Sequence, residues 1–309
     1  MNSQERFVQA LVEKGYGERL LRDEPMSLHT SFAIGGPADL FLIARRLEEL
    51  QEWLRMARVE GEPSLVIGRG TNILVADAGV RGLVIANACK GFSLADGGML
   101  IAESGALLRN LAQWSVSQGW AGLQWAIGIP GTVGGAVIGN AGAYGGCMAD
   151  IVRWATLLRL DGSVERVDAQ ALDYAYRTSA LKRALQHGER SIVLEVALQM
   201  APGDAGLLAD EVARITERRR AHTPRGCCAG SIFKRTLQYP AGFLIDQAGL
   251  KGYRVGGAQV SPKHANFLMN IDRATAADMK KLIGIVQDKV WDAFAQRLEP
   301  EIDFIGEWS

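Results

Sequence analysis

The chain has 309 residues, 48% of them hydrophobic, with 34 Lys and Arg against 34 Asp and Glu. That length can build two or three packed subdomains, and the balanced charge excludes a global field for nucleic acid or for an anionic membrane surface. Met1-Asn-Ser-Gln-Glu-Arg6 lacks an apolar signal core, and no stretch approaches the ~20 apolar residues of a membrane span, so a cytoplasmic protein is expected.

In chain order, Phe41–Ile43, the amphipathic Leu47–Val59 and Ser64–Ile67 read as strand, helix, strand, with Leu47, Leu50, Leu54 and Ala57 on one helix face. Strands follow at Leu83–Ala86 and Met99–Ala102, then a helix over Leu107–Gln118 closed by Gly119. Between Trp154 and Val167 two β runs meet at Asp161-Gly162, a hairpin signal, and Ser191–Met200 reads as a further strand. Ala201-Pro202-Gly203-Asp204 marks a boundary before an amphipathic helix that ends in Arg218-Arg-Arg220, cations suited to the negative end of a helix dipole. Strands at Arg254–Val260 and Phe267–Ile271 precede a helix from Thr275, whose Thr-Ala-Ala-Asp matches a capping box, to about Gln296. Glu301–Ile305 closes the chain as a strand.

Cys89, Cys147, Cys227 and Cys228 form no Cys-x-x-Cys pair, and two of them are adjacent, so reduced thiols are expected. His29, His187, His222 and His264 are scattered, and no metal site is expected. The chemistry is sought instead in the 36 glycines, which concentrate in Ile34–Pro37, Gly68–Gly82 and Gly119–Gly146.

Gly68-Arg-Gly-Thr-Asn-Ile-Leu74 follows a strand, and its small side chains let backbone N–H groups converge on an anion such as a pyrophosphate. Ile73 occupies the third-glycine position of G-x-G-x-x-G and no G-K-[ST] is present, so it is neither a Rossmann fingerprint nor a P-loop. An ordinary glycine-rich turn explains it equally well. The second cluster, Ala126 to Gly146, is almost uncharged and reads as a wall for a large flat ligand, with Thr132, Asn140 and Tyr144 as directional groups; a tightly packed strand and turn is the bland alternative.

Together these segments resemble the UDP-N-acetylenolpyruvoylglucosamine reductases of bacterial cell-wall synthesis, whose flavin domain is of the vanillyl-alcohol-oxidase (PCMH) type. The likeness continues through Tyr176-Arg-Thr-Ser179, Ala229-Gly-Ser-Ile-Phe-Lys234, Ala241-Gly-Phe-Leu-Ile-Asp-Gln247, Leu250-Lys-Gly252, Gly256-Gly-Ala-Gln-Val-Ser261, Lys263-His-Ala-Asn-Phe267 and Leu298-Glu-Pro-Glu301. It implies an α+β chain: an N-terminal helical segment (1–26), a two-part FAD-binding domain (27–202, divided near 80) and a smaller substrate-binding domain (203–309). Non-covalent FAD would place its pyrophosphate on Gly68, Gly70, Thr71, Asn72 and Leu74. Its ring would lie along Gly128, Pro130, Gly131, Thr132, Gly134, Gly135, Asn140, Gly142, Ala143 and Tyr144.

The implied reaction reduces the enolpyruvyl group of UDP-N-acetylenolpyruvoylglucosamine with NADPH. Reducing an enolpyruvyl ether requires a hydride at one vinyl carbon, stabilisation of an enolate beside a carboxylate, and a proton at the other carbon. By resemblance Arg177 is the catalytic arginine, suited to a carboxylate by its planar fork. Ser231 is the proton donor, effective only against a strongly basic carbon, and Glu301 stabilises the enol. Glu299 is read as structural or exposed. Lys234, Arg235, Lys251 and His264 are candidates for the nucleotide diphosphate. Departures from the family pattern are Ala33 and Arg235, where Arg and Asn are common, Cys227-Cys228 in place of Pro-Ser, and Asp303 where Arg is common. The compact spacing fits the shorter, type II class, and a monomer is expected. One rival reading is an FAD-dependent oxidase or dehydrogenase of the same fold acting on an alcohol or hydroxy acid, with a different second domain; a second is a non-enzymatic flavin- or nucleotide-binding module, which would have no need for Arg177, Ser231 and Glu301 together.

Overall fold

The computed structural model describes residues 1–308. The chain divides into two compact units: Met1–Glu18, Ile43–Gly68 and Ile85–Arg219 form the first, and Arg19–Leu42, Arg69–Val84 and the residues from Arg220 onward form the second.

The first unit opens with the helix Ser3–Glu13, started by a capping box between Asn2 and Glu5 and anchored by buried Phe7 and Leu11. The helix Leu47–Glu60 buries Leu50, Trp53 and Ala57 and stops where Gly61 turns left-handed (φ 70°). The unit's main sheet has five antiparallel strands in the order Val164–Asp168, Val152–Leu158, Ile192–Gln199, Met99–Glu103, Phe92–Ala95. Ile192–Gln199, in the middle, is the most apolar, as a strand covered on both faces must be. Leu100, Ala102, Leu157, Val196 and Leu198 pack with Leu108, Leu111 and Ala112 of the helix Leu108–Ser117, so that helix's i, i+3, i+4 spacing follows from the face it buries. The predicted hairpin is present, its loop closed by Asp161, whose carboxylate accepts from the N–H of Ser163 (2.8 Å), and by Gly162 at φ 86°.

In the second unit Leu21–Pro25 pairs antiparallel with Pro37–Phe41, and Ile73–Val75 pairs parallel with Asp303–Ile305. The helix Ala276–Phe294 begins at Thr275 with the predicted capping box to Asp278, and it buries Met279, Leu282, Ile283, Val286 and Val290. These side chains share a core with Ala241, Leu244 and Ile245 of the helix Ala241–Gln247.

Three sequence expectations need correction. Arg254–Val260 is two strands, Arg254–Val255 and Ala258–Val260, folded on each other about Gly256-Gly257. Gly256 is left-handed (φ 52°), and a Cβ on Gly257 would sit 2.0 Å from the carbonyl oxygen of Asp272, so the glycines turn the chain where alternation alone reads straight through. The long helix ends at Phe294, where Ala295 adopts φ 51°, and the last strand is the shorter Asp303–Ile305. No helix among the described residues is long and apolar enough to cross a membrane.

Candidate active site

The first glycine cluster is the loop between the strands Ser64–Ile67 and Ile73–Val75. Among the described residues, the backbone N–H groups from Arg69 to Asn72 donate to no carbonyl and no side chain. The turn at His29–Ser31 presses on this loop: the N–H of Ser31 donates to the Gly70 carbonyl (3.0 Å), and a Cβ on Gly70 would come 2.2 Å from the carbonyl oxygen of His29. The Ser31 hydroxyl oxygen is buried there without a hydrogen-bond partner among the described residues. Four undirected N–H groups and an orphan hydroxyl are a cost in a closed protein and an asset beside an anion.

The second cluster is neither a flat strand nor a plain turn. It is a loop through Gly131, a short helix Val133–Ile138 capped by the Thr132 hydroxyl, and a hairpin of Gly142–Ala143 with Gly146–Cys147. Tyr144 and Gly145 at the hairpin tip are both left-handed (φ 52° and 91°), and Tyr144 is 38% exposed. Within the first unit, a Cβ on Gly68 would lie 2.5 Å from Thr132 Oγ1. Most glycines here answer to the protein itself; a Cβ on Gly134 would meet Ser104 at 2.9 Å and one on Gly146 the Trp125 ring at 2.4 Å. Gly135 answers to nothing internal. It is exposed, has no positive φ, and its Cβ would touch only Thr132 Oγ1 at 3.6 Å. Gly139, one turn on, extends a strip of helix surface without side chains, although glycine in a helix costs ~1 kcal/mol against alanine.

Arg177 sits at the tip of a tight turn in which Ala175 and Thr178 exchange both backbone hydrogen bonds (3.1 and 3.2 Å). Its left-handed φ of 55° is costly for a side-chain-bearing residue, and such strain persists only where the surroundings impose it. The surroundings are the second cluster. Asn140 Nδ2 donates to the Ala175 carbonyl (2.9 Å) while its Oδ1 accepts from the N–H of Ala149 (3.0 Å), and Ser179 Oγ donates to the Ile138 carbonyl (2.7 Å).

In the second unit, Ser231 and Glu301 are brought together from 70 positions apart by a short main-chain ladder. The N–H of Glu301 donates to the Ile232 carbonyl (2.7 Å), and the N–H of Lys234 to the Glu299 carbonyl (2.9 Å). Asn72, in the first glycine loop, donates through Nδ2 to the Glu301 carbonyl (3.0 Å) and accepts at its own carbonyl from the N–H of Asp303 (2.9 Å). The Ser231 hydroxyl, half-buried after a left-handed Gly230 (φ 76°), has no hydrogen-bond partner among the described residues.

Residues 223–305 match the family model "UDP-N-acetylenolpyruvoylglucosamine reductase, C-terminal domain", and residues 38–168 match an FAD-binding domain. A UDP-N-acetylenolpyruvoylglucosamine reductase of Alkaliphilus oremlandii is 41% identical over 93% of this chain and 94% of its own length; one of Nostoc punctiforme is 42% identical over 92% and 85%. The crystal structure of the Thermus caldophilus reductase superposes with a TM-score of 0.78 at 32% identity, covering 93% of this chain and 98% of that one. The chain belongs to the UDP-N-acetylenolpyruvoylglucosamine reductase family. The α+β architecture and the FAD-binding domain follow from that membership, and the C-terminal match removes the oxidase alternative.

Each unit by itself has a feature that fits the family's FAD: in the first, the bare Gly135–Gly139 strip leaves room for a flat ring; in the second, the unspent N–H groups of Arg69–Asn72 with the Ser31 hydroxyl have the chemistry of an anion donor set. Ser31 escaped the sequence reading because a lone serine carries no signal until its partners are seen to be missing.

The candidate diphosphate cations are less available than their charges suggest. Lys234 is ion-paired with Glu299 and Lys251 with Asp246. His264 accepts at Nδ1 from the N–H of Asn266 (3.2 Å), and burial pushes its pKa down, so it presents a neutral ring and an N–H rather than a cation. Arg235 is exposed and has no ion-pair partner among the described residues.

Asn266 was also missed as a site residue. Its buried carboxamide accepts from the N–H of Phe233 (3.0 Å) and donates to the Phe233 carbonyl (2.9 Å), holding the segment that carries Ser231. Asn266→Leu would leave both groups unpaired in the core, at ~1–3 kcal/mol for each. A stability loss of about 2–6 kcal/mol in urea denaturation is expected, with a loss below ~0.5 kcal/mol ruling out this bracing role.

Proposed function

We propose that this chain is a UDP-N-acetylmuramate dehydrogenase, reducing the enolpyruvyl group of UDP-N-acetylenolpyruvoylglucosamine with NADPH through FAD, in the synthesis of peptidoglycan. The observation that carries the reading is the ladder joining Ser231 and Glu301 inside the segment that matches the reductase's C-terminal domain. We assign FAD binding and the two-part flavin domain to residues 27–202 and substrate binding to 203–309, after an N-terminal helical segment, 1–26; both family matches fall inside the two larger segments. The protein would act as a monomer in the cytoplasm.

Bound FAD would supply the redox chemistry, hydride transfer from the nicotinamide to the vinyl group. The chain's residues supply position and field. Arg177, presented by a strained turn, binds the substrate carboxylate with its planar fork and favours the negative charge that develops on it. Ser231, whose hydroxyl is not spent on the protein, delivers the proton to the other vinyl carbon. Glu301 stabilises the enol form. The diphosphate meets Arg235 first, while Lys234 and Lys251 must exchange their carboxylate partners for phosphate.

Purified protein should be yellow, lose its flavin colour on anaerobic addition of NADPH, and regain it on addition of UDP-N-acetylenolpyruvoylglucosamine. Bleaching that only oxygen reverses would overturn the assignment.

A further inference from the structure

The helix Ala205–His222 is seated on the first unit through one face: Leu208 and Ile215 are each 5% exposed, and Val212 packs against the same core. Positions 208, 212, 215 and 219 share that face at helical spacing. The pattern calls for an apolar residue at 219. An arginine stands there instead.

A helix C-terminus favours cations in general, but the dipole does not aim a guanidinium at one atom. Arg219 Nη2 donates to the carbonyl of Gly128 at 2.8 Å. Its Nε lies 3.0 Å from where a Cβ on Gly128 would be, and Gly128 is left-handed (φ 71°). Gly128 is held to glycine by its left-handed backbone, and the Arg219 side chain packs closely against it. The neighbouring Arg218 places its guanidinium 5.8 Å from the centroid of the Tyr144 ring. Two consecutive arginines thus reach the first loop and the hairpin tip of the glycine-rich wall.

We infer that Arg219 is a positioning residue for FAD, acting through Gly128: it latches the Gly128–Thr132 loop so that the following helix presents the bare Gly135–Gly139 strip to the cofactor. The inference rests on the reading that the cofactor lies along this wall. No step of the reaction passes through Arg219, so its effect belongs in cofactor affinity rather than in the proton or hydride transfers. The single bond to a carbonyl is charge-assisted but exposed, so water competes for both partners and the effect is modest.

The test is titration of the full-length apoprotein with FAD, for wild type, Arg219→Met and Arg219→Lys, beside the melting temperature of each apoprotein. Arg219→Met should weaken FAD binding about three- to tenfold with the apoprotein melting within about 2 °C of wild type. Arg219→Lys, which keeps a donor without the fork, should fall between the two. An unchanged affinity in both variants would overturn the latch, and so would a weakened affinity accompanied by a melting temperature lowered by more than about 5 °C, because that marks a structural strut. Gly135→Leu, measured alongside, separates the layers: if it leaves FAD affinity unchanged, the wall reading fails and the latch with it, whereas lost binding there with normal binding in Arg219→Met removes the latch alone.

Discussion

Ser231→Ala should leave the protein as stable as wild type and reduce its flavin with NADPH at a rate within about threefold, while reoxidation by UDP-N-acetylenolpyruvoylglucosamine slows by roughly 10²–10⁴-fold, the usual scale of general acid catalysis. The stability expectation follows from geometry: the hydroxyl bonds to nothing in the described residues, so its removal orphans no partner. The ladder through Ile232 and Lys234 uses main-chain atoms and stays intact, so Glu301 keeps its place. Rapid mixing separates the half-reactions. Equal slowing of both would show that the variant perturbs the flavin or the fold, and proton donation by Ser231 would be withdrawn.

The second large effect is on cofactor capture. Gly135→Leu should weaken FAD binding by at least about 100-fold while the apoprotein becomes no less stable, and even gains up to ~1 kcal/mol, because a helical glycine is replaced by a good helix former. The sign of the stability change is the informative part. Most large substitutions in a glycine-rich segment lower stability and ligand affinity together, as one at Gly146 would, where the Trp125 ring already fills the space. Gly135 faces outward with room for a side chain, so a loss confined to FAD identifies the cofactor as the reason for the glycine. Fluorescence titration of the apoprotein decides it, and an affinity within threefold of wild type would remove Gly135 from the site.

Taken together, these variants separate three layers that one activity assay merges. Ser231 acts on the second half-reaction, Gly135 on cofactor binding, and Asn266 on the fold that carries Ser231. The Ser231 and Gly135 readouts should be nearly independent, since the two share no hydrogen-bond partner, whereas Asn266→Leu should also disturb the Ser231 segment that it braces.

Much of this molecule is legible along the chain because local periodicity and capping chemistry decide it. The helix Leu47–Glu60 and the capping box at Thr275 follow from side-chain spacing within one or two turns, and both are present. The glycine clusters are legible as backbone that had to come close to something. Local pattern fails where a bend replaces an alternation, as at Gly256-Gly257, or where a short helix such as Val133–Ile138 is built from residues that are poor helix formers alone.

By itself the sequence determined which residue types are available for the chemistry: an arginine, a serine and a glutamate in recognisable surroundings, and glycine-rich segments free of bulk. Tertiary structure alone decided what those residues are free to do. It joined Ser231 to Glu301 through a ladder between distant segments and tied Lys234 and Lys251 to carboxylates. It also left the N–H groups of Arg69–Asn72 unspent and turned Arg219 from a helix-end cation into a donor to Gly128. The physical reason is that a residue's identity follows from the chain, whereas its unmet hydrogen bonds, ion-pair partners and open faces are set by whatever the fold packs against it.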